Sequence, residues 1–313
     1  MEGSHNETLA SEAPDRPVYQ RKPEWLRLKL PTSPVFAKTR NMLDGLRLHT
    51  VCESAKCPNH WECWGRGTAT FMIAGDRCTR ACKFCAVDTA KPLPLESDEP
   101  QRVAEATRRL NLKHVVITAV ARDDIKDGGA DHFHQTINRV RELSPGIIIE
   151  ILVPDFNSRN DAISHVLQAR PEIFNHNLET VRRLTPSVRS RAMYDRSLEV
   201  LRKAHELSPI PLYTKSGIML GLGETDEELI QAMKDLRSVD CDILTLGQYL
   251  QPSAAHLPVT EFIHPDRFEH FGNIARDLGF RHVASGPMVR SSYHADDFDL
   301  PVPRPPEDQP SLS

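Results

Sequence analysis

The chain has 313 residues, of which 39% are hydrophobic and 26% are charged, so it is long enough for one large domain with extensions or for two small domains. This composition excludes a disordered or collagen-like chain, and no apolar run approaches the length of a membrane-spanning helix. The 39 Lys and Arg against 43 Asp and Glu give a net charge of −4, which argues against a nucleic-acid partner. The acidic N-terminus carries neither a secretory nor a mitochondrial leader, so we expect a cytoplasmic protein with no membrane partner.

The predicted elements alternate regularly along the chain. A flexible lead-in is expected over residues 1–30, and a helix over 35–46 lies in an N-terminal extension, residues 31–64. Apolar, β-branched runs then predict strands at 69–74, 114–120, 147–153, 172–175, 212–220 and 242–249. Amphipathic stretches predict helices near 99–111, 131–143, 159–169, 178–184 with 196–207, and 225–238. A helix at 265–278 and a short strand at 281–285 follow.

Six strand–helix units predict an α/β fold with a parallel sheet, curled into a partial (β/α)6 TIM-type barrel over residues 65–285. A C-terminal closing segment, residues 286–297, follows the last strand. The Pro-rich stretch 298–313 cannot bury a core and is expected to be a disordered tail. In such a barrel the active site lies at the carboxyl ends of the strands.

Six of the seven cysteines lie between residues 52 and 85, in two groups. The first triplet is Cys52-x4-Cys57-x5-Cys63 and the second triplet is Cys78-x3-Cys82-x2-Cys85. Clustered cysteines in a reducing compartment indicate metal or redox sites rather than disulfides. Cys241 stands alone in a hydrophobic run and is expected to be a buried apolar side chain.

Two kinds of metal site fit these triplets. Structural zinc usually takes four ligands from paired C-x2-C knuckles, and neither triplet offers such a pair with a matching second one. An iron–sulfur cubane normally takes four thiolates, so three thiolates leave one iron with an open coordination position. The two triplets therefore favour two clusters, each completed by something other than cysteine, with zinc as the alternative.

The second triplet follows the apolar run Thr70–Ala74 and has Phe84 directly before its third cysteine. This pattern resembles the radical S-adenosylmethionine superfamily. The resemblance implies a [4Fe–4S] cluster held by Cys78, Cys82 and Cys85, whose open iron is chelated by S-adenosylmethionine, and reductive cleavage to a 5′-deoxyadenosyl radical. The stretch from Gly217 through Gly221 to Glu224 resembles the strand of that superfamily that packs along the adenine, with Met219 in place of the usual isoleucine.

Further polar residues at predicted strand ends are candidate contacts of S-adenosylmethionine. They are Arg122, Asp123, Asn175 and Glu179, together with Phe84 and the three residues of the glycine-rich strand. For the Arg122-Asp123-Asp124 stretch, an exposed charge cluster that caps a helix is an equally good interpretation. His176 is expected to be a packed histidine, and His132 with His134 a solvated helix face.

Three features together resemble the lipoyl synthase family: the first triplet, the stretch from Arg122 to Ala130, and Arg290-Ser291-Ser292-Tyr293. The likeness runs from about Lys22 to Ala295, with Ile125-Lys126 where many relatives carry Leu-Pro. It implies an enzyme that inserts two sulfur atoms, at C6 and C8, into an octanoyl group on a lysine of a carrier domain. It also implies that Cys52, Cys57, Cys63 and Ser292 hold a second, auxiliary [4Fe–4S] cluster that supplies the sulfur.

The same resemblance implies the partners. The carriers are the E2 subunits of 2-oxoacid dehydrogenases and the glycine-cleavage H protein, and a low-potential donor such as flavodoxin or ferredoxin supplies electrons. The alternatives are another sulfur-inserting radical enzyme, related to biotin synthase, and a non-catalytic iron–sulfur or zinc protein. A biotin synthase relative would lack the first triplet, which is present here.

Overall fold

The computed structural model describes residues 21–27, 34–293 and 301. The helices are α1 (Pro34–Gly45), α2 (Val51–Ser54), α3 (His60–Gly65), α4 (Glu99–Arg109), α5 (Ala130–Leu143), α6 (Asn160–Gln168), α7 (Thr185–Val188), α8 (Tyr194–Leu207), α9 (Asp226–Arg237) and α10 (Pro265–Asp277). The strands are β1 (His49–Thr50), β2 (Thr70–Ile73), β3 (Arg77–Cys78), β4 (Asp88–Thr89), β5 (His114–Ala119), β6 (Ile148–Leu152), β7 (Ile173–Asn175), β8 (Tyr213–Leu220), β9 (Ile243–Gln248) and β10 (His282–Ser285).

Eight of these strands form one sheet, in the order β1-β2-β5-β6-β7-β8-β9-β10. Only β1 runs antiparallel to its neighbour, and the other seven strands are parallel. Within the described residues no ladder joins β10 to β1 or β2, so the barrel is open between its first and last strands. The predicted α/β partial barrel is confirmed.

The core explains why these segments form strands and helices. The side chains of β2, β7 and β9 are all buried, as expected for parallel strands covered on both faces. One apolar cluster packs α4, α5 and α6 against the first strands and includes Phe71, Ile117 and Phe133. A second packs α9 and α10 against β8 and β9. Cys241 is fully buried in this second cluster, as the sequence predicts.

The predicted lead-in and tail lie mostly outside the described residues. Within the lead-in, the structure describes a short 3-10 turn at Glu24–Leu26, with the side chain of Leu26 buried. The N-terminal extension contains α1, β1, α2 and α3, and β1 pairs with β2 at the open edge of the sheet. The closing segment is described as far as Tyr293.

One predicted helix, over 178–184, is wrong. The chain there continues alongside β8 because Glu179 forms a parallel bridge with Ile218 and its N–H donates to the Gly217 carbonyl at 2.9 Å. Glu179 has a φ of 68°, which no α-helix contains. These main-chain bonds outweigh the helical pattern of the side chains, and the helix α7 begins only at Thr185.

The predicted solvated face of α5 is also wrong for His132. Its ring is buried, and Nε2 lies 2.5 Å from Oε2 of Glu99 on α4. The same carboxylate oxygen accepts from the N–H of Ala74 at 2.8 Å, where the chain leaves β2 with a φ of 66°. Glu99 and His132 therefore hold the main chain at Ala74, just before the second triplet begins.

His176 is a packed histidine, as expected, and it is neutral. Its Nδ1 donates to the Val153 carbonyl at 2.9 Å, and its Nε2 accepts from Ser197 Oγ at 3.0 Å. Ser197 Oγ in turn accepts from Arg189 at 2.8 Å. Burial, and then the charge of Arg189, lower the pKa of His176 to about 4.

This histidine predicts a pH dependence of stability. Because its pKa is lower in the folded than in the unfolded chain, the neutral ring favours folding above pH 6.5. That contribution is lost as the pH falls from 6.5 towards 4, by up to about 3 kcal/mol. His176→Asn should therefore flatten this part of the profile, measured as the urea midpoint of both proteins at pH 7 and pH 5. Parallel losses in the two proteins would contradict the assignment.

Candidate active site

The first triplet lies in the N-terminal extension, at the open edge of the barrel. Cys52 is on α2, Cys57 follows in a turn whose N–H donates to the Cys52 carbonyl at 3.0 Å, and Cys63 is on α3. Burial, and then the charges of Cys52 and Cys57, raise the pKa of Cys63 to about 12. The charges of the three thiols thus act on one another, although their spacing in sequence is irregular.

The sulfur of Cys52 is buried beside Thr70 and Trp64. Burial, and then the charge of Cys57, raise the pKa of Cys52 to about 11, and the Thr70 main chain and the Trp64 side chain partly oppose that rise. Trp64 is fully buried, and its indole Nε1 has no hydrogen-bond partner among the described residues. An unpartnered buried donor beside a cysteine fits a site that holds an iron–sulfur cluster.

The closing segment, which follows the last strand β10, lies against the part of the chain that carries this triplet. Thr70 Oγ1 lies 2.7 Å from Ser292 Oγ, across 222 residues of sequence. Asn59 Nδ2 donates to the Met288 carbonyl at 2.7 Å, and the Tyr293 hydroxyl lies 3.0 Å from both carboxylate oxygens of Glu62. The structure therefore brings Ser292 beside the first triplet.

A glycine makes room for this crossing. A Cβ on Gly247, in β9, would lie 2.1 Å from the Val289 carbonyl oxygen. The next residue, Arg290, acts on Cys57: the pKa of Cys57 is raised by burial and lowered in part by the charge of Arg290.

The second triplet begins at Cys78, the last residue of β3, and Cys82 and Cys85 lie in the loop from β3 to β4. Burial, and then the charges of Cys82 and Cys78, raise the pKa of Cys85 to about 12, so the charges of these three thiols also act on one another. The loop is held from outside by main-chain bonds, Lys83 N–H to Val188 O at 3.0 Å and Leu257 N–H to Lys83 O at 3.1 Å. Phe84 is partly buried within it.

Two candidate contacts of S-adenosylmethionine are engaged with protein groups. Arg80 bridges Asp123 and Asp155, at 2.7 Å from each. Arg122 is buried and pairs with Asp124, while also donating to the Ala74 carbonyl at 3.0 Å. Arg122 is therefore not part of an exposed charge cluster. Contact of Arg122 or Asp123 with the cofactor stays a prediction.

The segment after β7 has several buried polar atoms without partners among the described residues. They are Asn175 Oδ1, Asn177 Oδ1 and Thr180 Oγ1. Glu179, in the same segment, has its pKa raised by burial, and its carboxylate interacts with the thiols of Cys82 and Cys85. Unpartnered buried polar groups beside the second triplet fit a polar ligand bound at that cluster.

Gly217 lies beside one of these unpartnered atoms, Asn177 Oδ1. A Cβ there would lie 2.7 Å from Thr245 Oγ1, 3.0 Å from Asn177 Oδ1 and 3.1 Å from Ser291 Oγ. Asn177 Nδ2 also donates to Ser291 Oγ at 2.7 Å. The two serines of the motif thus face different neighbours: Ser291 faces the second triplet's polar surroundings and Ser292 faces the first triplet.

Gly221 and Glu224 have a structural role in the turn after β8. Gly221 has a φ of 95°, and a Cβ there would lie 2.3 Å from Gln248 Nε2. The carboxylate of Glu224 accepts from the N–H groups of Gly221 at 2.6 Å and Leu222 at 2.9 Å. Their contact with the adenine stays a prediction.

A mononuclear zinc site does not fit the cysteines. Thiolates around one zinc ion, at about 2.3 Å from it, lie within about 4 Å of one another. Among the described residues no three Cys, His, Asp or Glu side chains are grouped closely enough to hold a single metal ion. Two separate triplets, each of thiols whose charges act on one another, fit two cubanes that each take three thiolates.

A cavity of about 380 Å³ lies beside the second triplet but contains none of its cysteines. Its lining includes Arg80, Asp123, Lys126 and Arg159. These charges do not suit an alkyl chain.

Several residues of this site carry no signal in the sequence pattern. Thr70 is an ordinary strand residue, Asn59 directly precedes the short helix α3, Trp64 lies within that helix, and Gly247 is one of 15 glycines. Arg189 is buried near Cys82 and Glu179. Only the folded chain shows what these side chains contact.

Comparisons with known proteins agree with this geometry. Residues 72–236 match the family model of the radical SAM superfamily, and residues 4–57 match that of the N-terminal domain of lipoyl synthase. The lipoyl synthase of Caldanaerobacter subterraneus is 55% identical over 276 residues, which cover 88% of this chain and 96% of the relative. That of Geobacillus sp. WCH70 is 57% identical, covering 88% and 93%. The chain belongs to the lipoyl synthase family.

Solved structures that resemble this lipoyl synthase family member show the shared fold. SuiB of Streptococcus suis bound to S-adenosylmethionine has a TM-score of 0.55 at 11% identity, covering 68% of this chain and 49% of SuiB. Methylornithine synthase has a TM-score of 0.51 at 15% identity, covering 80% and 82%.

Family membership confirms the enzyme class and the cofactors. The protein is a radical S-adenosylmethionine sulfurtransferase, and it uses two [4Fe–4S] clusters and S-adenosylmethionine. Lipoyl synthases act on a lipoyl-carrier protein and require a reductant. The biotin synthase-like and zinc-protein alternatives have no support. In the part of the chain that the structure describes, no helix is long and apolar enough to cross a bilayer.

The crossing of the closing segment over Gly247 generates a prediction. Gly247→Ala should displace residues 286–293, because the new methyl group and the Val289 carbonyl cannot occupy the same space. Hydrogen exchange of peptides from this segment should accelerate, while exchange in β5 and β6 stays unchanged. The control is Gly45→Ala at the end of α1, where a Cβ meets nothing within 4 Å. Equal exchange in the two variants would show that the close approach is unimportant.

Proposed function

We propose that the two triplets divide the reaction of this lipoyl synthase between them. Cys78, Cys82 and Cys85 hold the radical cluster, and Cys52, Cys57, Cys63 and Ser292 hold the auxiliary cluster. The product is a lipoyl group, made from an octanoyl-lysine by sulfur insertion at C6 and C8. The observation that carries this proposal is the contact between Thr70 and Ser292 beside the first triplet.

The cofactors define what the protein residues must do. When bound, the radical cluster and S-adenosylmethionine supply a 5′-deoxyadenosyl radical, and the auxiliary cluster supplies sulfide. Unactivated C–H bonds are beyond acid–base catalysis, so this chain's residues position, orient and exclude water. The buried surroundings of Glu179 and Asn177 provide such a dry site next to the second triplet.

Residues that the fold places near the two triplets orient the cofactor. Gly217 has no side chain to fill the space between its backbone and the side chains of Asn177 and Ser291. A flat or polar group of a ligand can therefore approach the Gly217 backbone closely. Asn175, Asn177 and Glu179 offer acceptors to ribose hydroxyls or to an amino group. Phe84 lies partly buried in the cysteine loop, while Arg80 with Asp123, and Arg122 with Asp124, fix the loop in place.

Ser292 differs chemically from the three thiols of its site. An alkoxide oxygen is a harder and less usual iron ligand than thiolate, so the iron it holds is the one released most readily. That property suits a cluster that must give up its sulfide. The carriers are the E2 subunits and the H protein, and flavodoxin or ferredoxin is the electron donor. Clustered free thiols require a reducing compartment, the cytoplasm.

Removing one ligand from each triplet tests the division of roles. Cys82→Ala should lower 5′-deoxyadenosine formation to background, since the radical cluster loses one of its three protein ligands. Cys57→Ala should still cleave S-adenosylmethionine but release no thiolated octanoyl product. Both are measured by mass spectrometry with reductant and an octanoyl-lysine peptide. Cys241→Ala is the control, because that thiol is buried away from both triplets. Lipoyl formation by Cys57→Ala would refute the sulfur-donor role.

The two adjacent serines provide a sharper test. Ser292→Ala should keep S-adenosylmethionine cleavage and lose lipoyl formation. Ser291→Ala should be milder and should raise the KM for S-adenosylmethionine, because Ser291 bonds to Asn177 on the cofactor's side. If the two variants behaved alike, the assignment of Ser292 as a cluster ligand would have no support.

A further inference from the structure

Thr70 lies next to two candidate ligands of the auxiliary cluster. Its hydroxyl lies 2.7 Å from Ser292 Oγ, and its main chain lies beside Cys52, whose pKa it lowers in part. Thr70 is the first residue of β2 and is buried, with 7% of its surface exposed. It therefore joins the barrel, the N-terminal extension and the closing segment at one point.

The direction of the hydroxyl contact follows from the chemistry of Ser292. A serine that binds iron has given up its proton and can only accept hydrogen bonds. The partner hydroxyl must then donate, and Thr70 Oγ1 is within ordinary hydrogen-bond distance to do so. No other side chain among the described residues forms a hydrogen bond with Ser292 Oγ.

We propose that Thr70 is the positioning residue of the auxiliary cluster, whose hydroxyl donates to Ser292 and holds its oxygen on the iron. This inference rests on the proposed role of Ser292. A charge-assisted hydrogen bond to a ligating oxygen fixes its orientation and moderates its basicity. The strength of the iron–serine bond is then set in part by a residue that does not touch the iron.

Three substitutions separate this role from a general effect on folding. Thr70→Val has nearly the same shape and lacks the hydroxyl, while Thr70→Ser restores it. Thr68→Val is the matched control, because the Thr68 hydroxyl, two residues away, bonds to the main-chain carbonyl of Cys63 at 3.0 Å and to no side chain. All are made in the full chain with Cys78, Cys82 and Cys85 replaced by alanine, so that only the auxiliary cluster is present.

The readout is retention of the serine-held iron. Mild oxidation with ferricyanide removes one electron, and loss of Fe²⁺ then leaves a [3Fe–4S]⁺ cluster, which is quantified by electron paramagnetic resonance. Thr70→Val should release this iron about 10-fold faster than the unsubstituted protein, the lower end of the effect expected for an outer-shell partner. Thr70→Ser and Thr68→Val should release it at the normal rate.

Each outcome has a distinct meaning. Normal iron release from Thr70→Val, with full iron and sulfide content, overturns the role of Thr70. Accelerated release that Thr70→Ser does not rescue, or that Thr68→Val shares, also overturns it, because the hydroxyl is then not responsible. Ser292→Ala in the same background is the reference: if it releases iron at the normal rate, the ligand assignment itself fails.

Discussion

The hydrogen bond between Thr70 and Ser292 is the constraint on which the rest of this site depends. It joins the first parallel strand to the segment that follows the last one, across the open side of the barrel. Asn59 with Met288, and Glu62 with Tyr293, support it on either side. Without this connection, the first triplet would lie on an extension with no fixed relation to the segment that follows the last strand.

The same segment also links the two triplets. Ser291 bonds to Asn177, and Asn177 lies beside Glu179 and Gly217, whereas Ser292 bonds to Thr70. A displacement of two adjacent residues would therefore disturb both halves of the site. Gly247 limits that displacement, since the Val289 carbonyl packs directly against its backbone. The chemistry of two clusters thus depends on the packing of one short stretch of chain.

Much of the fold was predictable because burial leaves a strong pattern. Apolar runs such as 114–120 and 242–249 became β5 and β9, and the cysteine spacing identified both triplets. The failures arose where tertiary contacts overrode local pattern. Residues 178–184 were drawn into pairing with β8, and His132 was buried by Glu99, a residue 33 positions away. Neither contact has a signature in the nearby sequence.

The sequence predicts candidate ligands for the site, and it does not predict the residues that surround them. Spacing identifies cysteines, since cluster binding requires several in one stretch. It does not identify Thr70, Asn59 or Trp64, because a single hydroxyl, amide or indole donor acts through its position alone. Arg122 illustrates the converse: the sequence marked it as exposed or as a cofactor contact, and the structure shows it bound to the Ala74 and Leu93 carbonyls.

The long sequence separation between Ser292 and Thr70 has a consequence for the order of assembly. Contacts across 222 residues form late in folding, because the loop between them must first be ordered. Few contacts hold the closing segment against the N-terminal extension. The closing segment can therefore detach locally at a much lower free-energy cost than unfolding of the sheet. A local opening of this one segment would expose the first triplet while the barrel around the second triplet stays folded.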